Sequence, residues 1–170
     1  AVTDGIREAT GLEAAIKWPN DVVVRGKKVA GILTEMSTDL DRIEFVVIGI
    51  GINVNTDSFP EEIREVATSL AIEQGKETAR TPIIAAVWKQ FARYEKMFEE
   101  KGSFTALKER YEALLANRGR EVRVLDPDGE YCGVAEGITE GGELLVRRED
   151  QSLTAVRSGE VSVRGIYGYI

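Results

Sequence analysis

The chain has 170 residues, of which 43% are hydrophobic, and a formal net charge of −7 at pH 7. This length allows one large domain, or a domain with a small appendage. The acidic balance argues against a nucleic-acid surface, because phosphate binding needs a clustered basic face. The sequence contains no histidine, which excludes Ser-His-Asp and Cys-His triads and histidine zinc sites.

The single cysteine, Cys132, cannot form a disulfide within the chain, so we expect a reducing compartment, the cytoplasm. No apolar run reaches the roughly 18 residues of a membrane span, and no signal-peptide pattern is found. A membrane partner is therefore not expected. The chain opens inside a helical pattern without a methionine, so we expect it to be the later part of a longer protein.

The first third of the chain predicts a helix followed by a β-meander. Residues 2–10 are helical in pattern and end near Gly11. Short apolar or β-branched runs predict three strands: residues 14–17, 22–25 and 28–36. Gly26 and the polar residues 38–41 are expected to form the turns. Residues 44–54 are almost wholly apolar, which predicts a central strand buried on both faces.

Helices are expected next. Pro60 suits the first residue of one helix and Gly75 its end. Residues 81–82, Thr-Pro, repeat the start signal, and a stripe at helical spacing is expected to pack on the sheet: Ile84, Val87, Trp88, Phe91, Tyr94 and Phe98. Ser103 is expected to cap a further helix, which ends at residues 117–119.

The last 50 or so residues change to short strands separated by close turns. The expected strands are residues 121–125, 131–138, 144–148, 153–156 and 160–164. The expected turns are residues 126–129 and 139–142. The predicted fold is therefore α+β, with a mixed or antiparallel sheet packed with helices in residues 1–117 and a small all-β barrel in residues 118–170.

Three segments bring lysines, amides and glycines onto neighbouring strands. They are residues 17–21 (Lys-Trp-Pro-Asn-Asp), 26–33 (Gly-Lys-Lys-Val-Ala-Gly-Ile-Leu) and 49–55 (Gly-Ile-Gly-Ile-Asn-Val-Asn). Lys28 is the strongest single candidate, because Ala30 and Gly31 let a ligand approach the backbone and a lysine there can neutralise a carboxylate and a phosphate. The alternative for Lys28 is a solvated lysine at a strand edge, which is also the interpretation of Lys27.

Gly49 and Gly51 interrupt an apolar strand, which marks either close approach of a ligand or tight packing against a helix. A P-loop is excluded because no Gly-Lys-Ser or Gly-Lys-Thr follows. A dinucleotide fingerprint is excluded because its third glycine is missing. Asn53 ends this strand, and a buried Asn needs polar partners; a turn role suits Asn55.

Trp18-Pro19 forms a rigid segment that aims its neighbours Lys17 and Asn20 at one place. Asp21 is open to three interpretations: it positions a lysine, helps to hold magnesium, or has a turn or capping role.

Taken in order, the three segments resemble the catalytic core of biotin protein ligases, and the resemblance covers nearly the whole chain. It implies the sheet-and-helix fold shared with class II aminoacyl-tRNA synthetases. It makes Lys28 the essential lysine, and it implies a biotin pocket formed by Lys28, Gly31, Gly49 and Gly51. The ATP residues that it implies are Lys17, Asn20 and Asn53, and magnesium is implied without identified ligands.

The resemblance implies a two-step reaction. The carboxylate of biotin attacks the α-phosphate of ATP, which gives biotinyl-AMP and pyrophosphate. The ε-amine of a lysine on a biotin carboxyl carrier domain then attacks the mixed anhydride. The carboxy-terminal barrel is expected to help that carrier domain to dock rather than to form the biotin pocket.

The chain departs from the family pattern at its front. The Gly/Arg-rich loop of the family, Gly-Arg-Gly-Arg-x-Gly-Arg in form, is not found. We therefore expect a partial ligase that does not biotinylate by itself. A complementary upstream fragment and a homodimer are both compatible with the sequence. Two alternatives stay open: a lipoate–protein ligase, and a non-catalytic module that binds biotin or the carrier domain.

Overall fold

The structure is a computed structural model that describes residues 1–39, 42–126, 129–157, 162–165 and 169–170. Its helices are α1 (Val2–Thr10), α2 (Leu70–Gln74), α3 (Arg80–Lys101) and α4 (Thr105–Leu114). Its strands are β1 (Ala14–Lys17), β2 (Asp21–Val24), β3 (Lys27–Asp39), β4 (Arg42–Ile52), β5 (Glu121–Leu125), β6 (Tyr131–Ile138), β7 (Leu144–Arg147), β8 (Leu153–Val156) and β9 (Ser162–Gly165). No helix among these residues is long and apolar enough to cross a membrane.

Strands β1 to β4 form an antiparallel sheet in sequence order, which confirms the predicted meander. Gly11 ends α1 with φ 72°, and Gly26 turns the chain between β2 and β3 with φ 81°. Both glycines hold a left-handed conformation that residues with a Cβ rarely adopt.

One face of this sheet packs against α1 and α3 to form the first core cluster. Its buried members are Val2, Ile6, Ala14, Val22, Val24, Val29, Ala30, Val54, Leu70, Ile83 and Val87. Helix α1 lies very close to α3, since a Cβ at Gly5 would approach Val87 to 2.7 Å. The helices therefore cover one side of the sheet and leave the other side open for a site.

The prediction that residues 44–54 form a central buried strand is wrong. Strand β4 is at the edge of the described sheet, and its residues from Arg42 to Gly51 are exposed. A cavity of about 440 Å³ separates β4 from α3. A run of apolar residues shows that the side chains favour burial, but it does not show which other element would cover them. Of the predicted turn at residues 38–41, Leu40 and Asp41 lie outside the described residues.

The predicted helix starting at Pro60 is also wrong, although its end at Gly75 is confirmed. Residues 61–66 form turns, and Ala67 then pairs with Lys28 in a parallel bridge. Helix α2 begins only at Leu70, after Ser69 caps it through the Ile72 amide. The carbonyl of Val66 and the amide of Thr68 are both bonded to Lys28, so they are not available to continue a helix.

Helix α3 confirms the start signal at residues 81–82, but the stripe predicted to be buried is largely exposed. Trp88 is 65% and Ile84 is 55% exposed, because both face the cavity beside β4. Val87 of the predicted stripe is buried, and the other buried residues of α3, Ile83 and Ala86, lie outside the stripe. Helix α3 therefore packs mainly through the side that meets α1.

Helix α4 does not use the predicted cap, since its N-cap residue is Phe104 and no side chain caps it. The helix ends at Leu114, before the predicted end at residues 117–119. Asn117 is fully buried, and its Oδ1 accepts a hydrogen bond of 2.9 Å from the Trp18 amide. Asn117 thus joins two distant segments.

Strands β5 to β9 form a second antiparallel sheet in the order β8-β7-β6-β5-β9. Pairing of β8 with β9, which would close the predicted barrel, is not seen in the described part of the chain. Within the predicted turn at residues 126–129, Pro127 and Asp128 lie outside that part, as do Glu160 and Val161 of the last predicted strand. The second core cluster consists mainly of buried side chains from this sheet. It also includes Trp18 from the first part of the chain.

Candidate active site

A row of directly paired residues crosses all four strands of the first sheet. Lys17 on β1 pairs with Asp21 on β2, Asp21 pairs with Gly31 on β3, and Gly31 pairs with Gly51 on β4. Residues that pair directly project from the same face of a sheet. Three of the segments singled out in the sequence therefore meet in one row, on the face opposite α1 and α3.

A β-bulge brings Lys28 to the same face as Gly31. Between β2 and β3 the pairing shifts from Val22–Ala30 to Val23–Lys28, which leaves Val29 as the extra residue. Without a bulge, residues three apart on a strand point to opposite faces. The extra residue reverses the alternation and re-aims the lysine.

An open groove of about 480 Å³ lies over this row. Its lining residues are Asn20, Lys28, Gly31, Ile32, Leu33, Gly49, Ile50 and Gly51. The groove thus collects the lysine and all three glycines of the predicted biotin pocket. Its volume lies within the range of small-molecule sites, about 300–1,000 Å³.

The structure discriminates between the two interpretations of the strand glycines. A Cβ at Gly51 would meet no described atom closer than 3.9 Å, and a Cβ at Gly49 none closer than 3.7 Å. Packing among the described residues therefore does not require glycine at either position. A side chain at these positions would occupy the groove. This geometry favours the interpretation that the glycines keep space for a ligand.

Lys28 is fixed at its backbone and paired at its tip. Its amide donates to Val66 O at 2.7 Å, and its carbonyl accepts from the Thr68 amide at 2.8 Å. Its Nζ lies 2.5 Å from Asp21 Oδ1, and its side chain is 41% exposed. The ammonium is therefore positioned and still reachable by a ligand in the groove.

Asp21 lies between two lysines. Its Oδ2 is 3.8 Å from Lys17 Nζ and accepts a hydrogen bond from the Tyr169 hydroxyl. Burial lowers the pKa of Lys17 and the Lys28 ammonium adds to this, while Asp21 opposes it. Burial, together with the bond to Asp21, raises the pKa of Tyr169. Of the three interpretations of Asp21, the geometry favours the positioning of lysines.

The three residues predicted for ATP occupy different places. Asn20 lines the groove, and its Nδ2 donates to Ile32 O at 2.9 Å. Lys17 is buried behind Asp21 with its Nζ 4.3 Å from the Tyr169 ring centroid. Asn53 lies outside the groove lining, and its Nδ2 donates to Thr68 O at 3.1 Å.

Two contributors to this site are not among the predicted site residues. The first is the segment of residues 66–68, which holds the Lys28 backbone; residues 67–70, Ala-Thr-Ser-Leu, resemble a segment of the family, but their ordinary composition gives that resemblance little weight. The second is Tyr169, which is 148 positions from Asp21 in the chain. No local pattern connects residues so far apart.

The described residues of the groove do not form a magnesium site. The Lys28 ammonium lies against Asp21 Oδ1, and Oδ2 accepts a hydrogen bond from the Tyr169 hydroxyl, so positive and donor groups surround this carboxylate. Among the described residues, no group of three or more His, Cys, Asp or Glu side chains is arranged to hold a metal. We therefore assign no protein ligand to magnesium.

Two family models match separate stretches of the chain. Residues 1–53 match the biotin/lipoate A/B protein ligase family. Residues 119–164 match the biotin protein ligase C-terminal domain. The class that the fold and groove define is thus that of the biotin and lipoate ligases.

Sequence relatives carry biotin-ligase names. The bifunctional ligase/repressor BirA of Bacillus subtilis is 39% identical over 152 residues, which is 88% of this chain and 46% of that protein. A biotin–[acetyl-CoA-carboxylase] ligase of Paracoccus denitrificans is 32% identical, over 86% of this chain and 63% of that protein. The chain spans about half the length of the Bacillus relative.

Solved structures agree with these matches. The apo biotin protein ligase of Aquifex aeolicus is 36% identical with a TM-score of 0.85, over 96% of this chain and 71% of that one. The same ligase in complex with biotin and ATP gives 35% identity and a TM-score of 0.83, over 96% and 67%. The chain belongs to the biotin protein ligase family.

Proposed function

We propose that this chain contributes the adenylation site of a biotin protein ligase, which forms biotinyl-AMP from biotin and ATP and transfers biotin to a carrier-domain lysine. The observation that carries the proposal is the groove over the four-strand row, with one exposed lysine at its end and glycines along its floor. The biotin and ATP complex of the related Aquifex ligase supports it.

Lys28 is the proposed catalytic residue. In the first step an oxygen of the biotin carboxylate bonds to the α-phosphorus of ATP, and the bond from that phosphorus to pyrophosphate breaks. Both reactants are anions, so a cation between them stabilises the charge that gathers in the transition state. The ion pair of Lys28 with Asp21 and the two backbone hydrogen bonds hold the ammonium in place before the substrates arrive.

For biotin, the proposed pocket consists of Lys28, Gly31, Gly49 and Gly51, all of which line the groove. Leu33, which pairs with Gly49 on the same face as Gly31 and Gly51, supplies apolar surface that a small ligand buries. The glycines leave backbone atoms within reach of the ligand.

For ATP, we propose Asn20, Lys17 and Asn53, in different roles. Asn20 is the member that lines the groove. Lys17 adds positive charge behind Asp21. Asn53 fixes residue Thr68, whose amide in turn holds the Lys28 carbonyl. All of these roles belong to residues of the chain itself.

The second step needs a carrier protein. The amine of the acceptor lysine bonds to the acyl carbon of biotinyl-AMP, the bond from that carbon to the phosphate oxygen breaks, AMP leaves, and the amine gives up a proton. The proposed partner is a biotin carboxyl carrier domain, as the acetyl-CoA-carboxylase ligase name of the Paracoccus relative suggests. Nucleic acid is not among the proposed partners, because the net charge is −7.

We propose two domains, residues 1–117 and residues 118–170. The separate matches of the two family models support this division, as do the two core clusters. The second domain is more than an appendage, because Trp18 packs in its core. The proposed compartment is the cytoplasm, in keeping with the single cysteine.

The test is calorimetry with biotin, lipoate and ATP in turn, followed by mass spectrometry of the nucleotide products, on the protein that carries this sequence. We expect biotin to bind and biotinyl-AMP to form when ATP is added. Tighter binding of lipoate than of biotin would indicate the lipoate-ligase alternative. Biotin binding without any adenylate would indicate the non-catalytic module.

A further inference from the structure

Tyr169 crosses from the second part of the chain to the row of site residues. Its hydroxyl donates to Asp21 Oδ2, and its ring lies 4.3 Å from Lys17 Nζ. The groove lining does not include Tyr169. Any effect of Tyr169 on the site must therefore pass through Asp21 or Lys17.

The charges around Asp21 are unevenly exposed. The side chains of Lys17 and Asp21 are only 7% and 10% exposed, whereas that of Lys28 is 41% exposed. Arg164 is a further positive group that acts on both Lys17 and Tyr169. Lys28 is thus the reachable partner of Asp21, whereas Lys17 and the Asp21 carboxylate are held inside the protein.

Asp21 has two oxygens and three polar neighbours: it accepts one hydrogen bond, from the Tyr169 hydroxyl, and forms ion pairs with Lys28 and Lys17. Oδ1 faces Lys28, and Oδ2 faces both Lys17 and Tyr169. A buried carboxylate is stable only when its oxygens are satisfied. With the Tyr169 hydroxyl on Oδ2, the carboxylate plane is fixed and Oδ1 stays directed at Lys28. Without it, the attraction of Lys17 is free to turn the carboxylate inward.

The second sheet holds the segment before Asp21 from the other side as well. The Trp18 amide donates to Asn117 Oδ1 at 2.9 Å, and the Trp18 indole donates to Gly142 O at 3.0 Å. The Trp18 ring lies in the second core cluster. These contacts fix the segment just before Asp21 against the second sheet, so the backbone that carries the Asp21 carboxylate is held in place.

We infer that Tyr169 is a positioning residue for Lys28: its hydrogen bond to Asp21 fixes the carboxylate that holds the Lys28 ammonium in the groove. Tyr169, which follows β9 in the chain, then contributes to the adenylation site without lining the groove. The catalytic consequence rests on the proposed function, while the effect of Tyr169 on the lysine does not.

The test is a double-mutant cycle of Tyr169→Phe and Asp21→Asn in the protein that carries this sequence. Tyr169→Phe keeps the ring over Lys17 and removes one hydroxyl. We expect kcat for biotin-dependent pyrophosphate exchange to fall about tenfold, with both KM values within about twofold of wild type. In the Asp21→Asn background the same change should have no further effect, because the two residues act as a unit.

A second readout follows the lysine directly. Acetylation of Lys28 by acetic anhydride, measured by mass spectrometry against Lys27 in the same molecule, should become about threefold faster in Tyr169→Phe as the ion pair loosens. This gain should vanish in the Asp21→Asn background. Tyr111→Phe is the matched control, since Tyr111 is a partly buried tyrosine that packs edge-on against Phe104.

The outcomes separate the inference from the proposed function. Absence of pyrophosphate exchange in wild type would refute the proposed function. The acetylation rates of Lys28 in the single and double variants would still decide the role of Tyr169. Normal exchange and unchanged Lys28 labelling in Tyr169→Phe would overturn the inference and leave the function intact. Additive effects of the two substitutions would also overturn it, because a structural role of Tyr169 gives additivity.

Discussion

At the scale of single residues, Gly31 is the most informative position in the groove. A Cβ there would lie 3.1 Å from both Cε and Nζ of Lys28 and 3.5 Å from Asp21 Oδ1. Gly31→Ala should therefore push the lysine tip aside while the strand stays intact. We expect adenylate formation to fall by at least about tenfold, measured by single-turnover kinetics.

The control for this change is Gly49→Ala, whose Cβ would meet only Leu33 atoms at 3.7 Å or beyond. We expect it to affect adenylation less than Gly31→Ala. Equal loss in both variants would show that the groove glycines act alike and that pressure on Lys28 is not the cause.

Gly51→Val tests whether the groove holds biotin. The two added methyl groups suit a strand, and the nearest described atom to a Cβ is 3.9 Å away. We expect the free energy of unfolding to change by less than about 1 kcal/mol while biotin affinity falls by about tenfold or more. Calorimetry and denaturant unfolding measure the two effects. Unchanged affinity would mean that biotin does not contact this strand.

Asn53→Ala addresses the proposed ATP residues. Loss of the Asn53 amide frees Thr68 O and loosens the segment that holds the Lys28 backbone. We expect the Kd for ATP to rise by about five- to tenfold. Asn55→Ala is the matched control, because Asn55 makes similar bonds to Thr78. An equal rise in both variants would contradict a specific role of Asn53.

At the scale of elements, β4 carries the largest exposed apolar surface. Phe45, Val47 and Ile48 are each about half exposed, at 57%, 51% and 46%. Unpaired, flat, apolar edge strands associate with other chains. We expect the 170 residues expressed by themselves to self-associate at micromolar concentration, and Ile48→Lys to reduce this association, as measured by sedimentation velocity.

Leu153→Lys serves as the control, because Leu153 is 60% exposed on β8 of the second sheet. We expect it to leave association unchanged. If the unaltered chain sediments as a monodisperse monomer, the exposed strand β4 does not cause self-association and the prediction is wrong.

The elements also show what the sequence alone allows one to predict. Strands β1 to β3 and the turn at Gly26 follow from local patterns, because alternation and turn residues act over a few positions. The burial of β4 does not, because burial depends on which other elements cover the strand. The bulge at Val29 directs Lys28 toward the groove, but the residue types around it do not indicate a bulge.

The site residues likewise include some that the sequence predicts and some that only the fold brings together. Lys28 and the three glycines were predicted together, because their residue types in that order resemble one family. The contact of Tyr169 with Asp21 does not follow from the sequence, since the two residues are 148 positions apart and meet only in the folded chain. The helix expected from Pro60 failed because a tertiary pairing with β3 overrode a local start signal.

At the scale of the whole molecule, one buried carboxylate links three helices. Asp4 on α1 accepts hydrogen bonds from Tyr94 on α3 and Arg110 on α4. Burial alone would raise the pKa of Asp4, but the bonds from Arg110 and Tyr94 lower it below the ordinary 3.8. A lowered carboxyl pKa stabilises the fold above the unfolded pKa, and this stability is lost as the pH falls through the folded pKa.

Asp4→Asn should therefore destabilise the protein by about 1–3 kcal/mol at pH 7, and the difference from wild type should shrink below pH 3.8. Urea unfolding at a series of pH values measures this. Glu8→Gln is the control, because the Glu8–Lys89 ion pair is exposed to solvent and such pairs contribute little to stability. A difference independent of pH would contradict the role of the ionised carboxylate.

The central claim is that Lys28 acts on the reacting anions in an adenylation site. Biotin-dependent exchange of labelled pyrophosphate into ATP measures it most directly, in wild type, Lys28→Ala and Lys27→Ala. Lys27 is the matched neighbour, since its Nζ donates to Arg64 O rather than lining the groove. We expect Lys28→Ala to lose at least about 100-fold in rate while remaining folded, and Lys27→Ala to stay within about threefold. Exchange by Lys28→Ala within a few-fold of wild type would contradict the assignment.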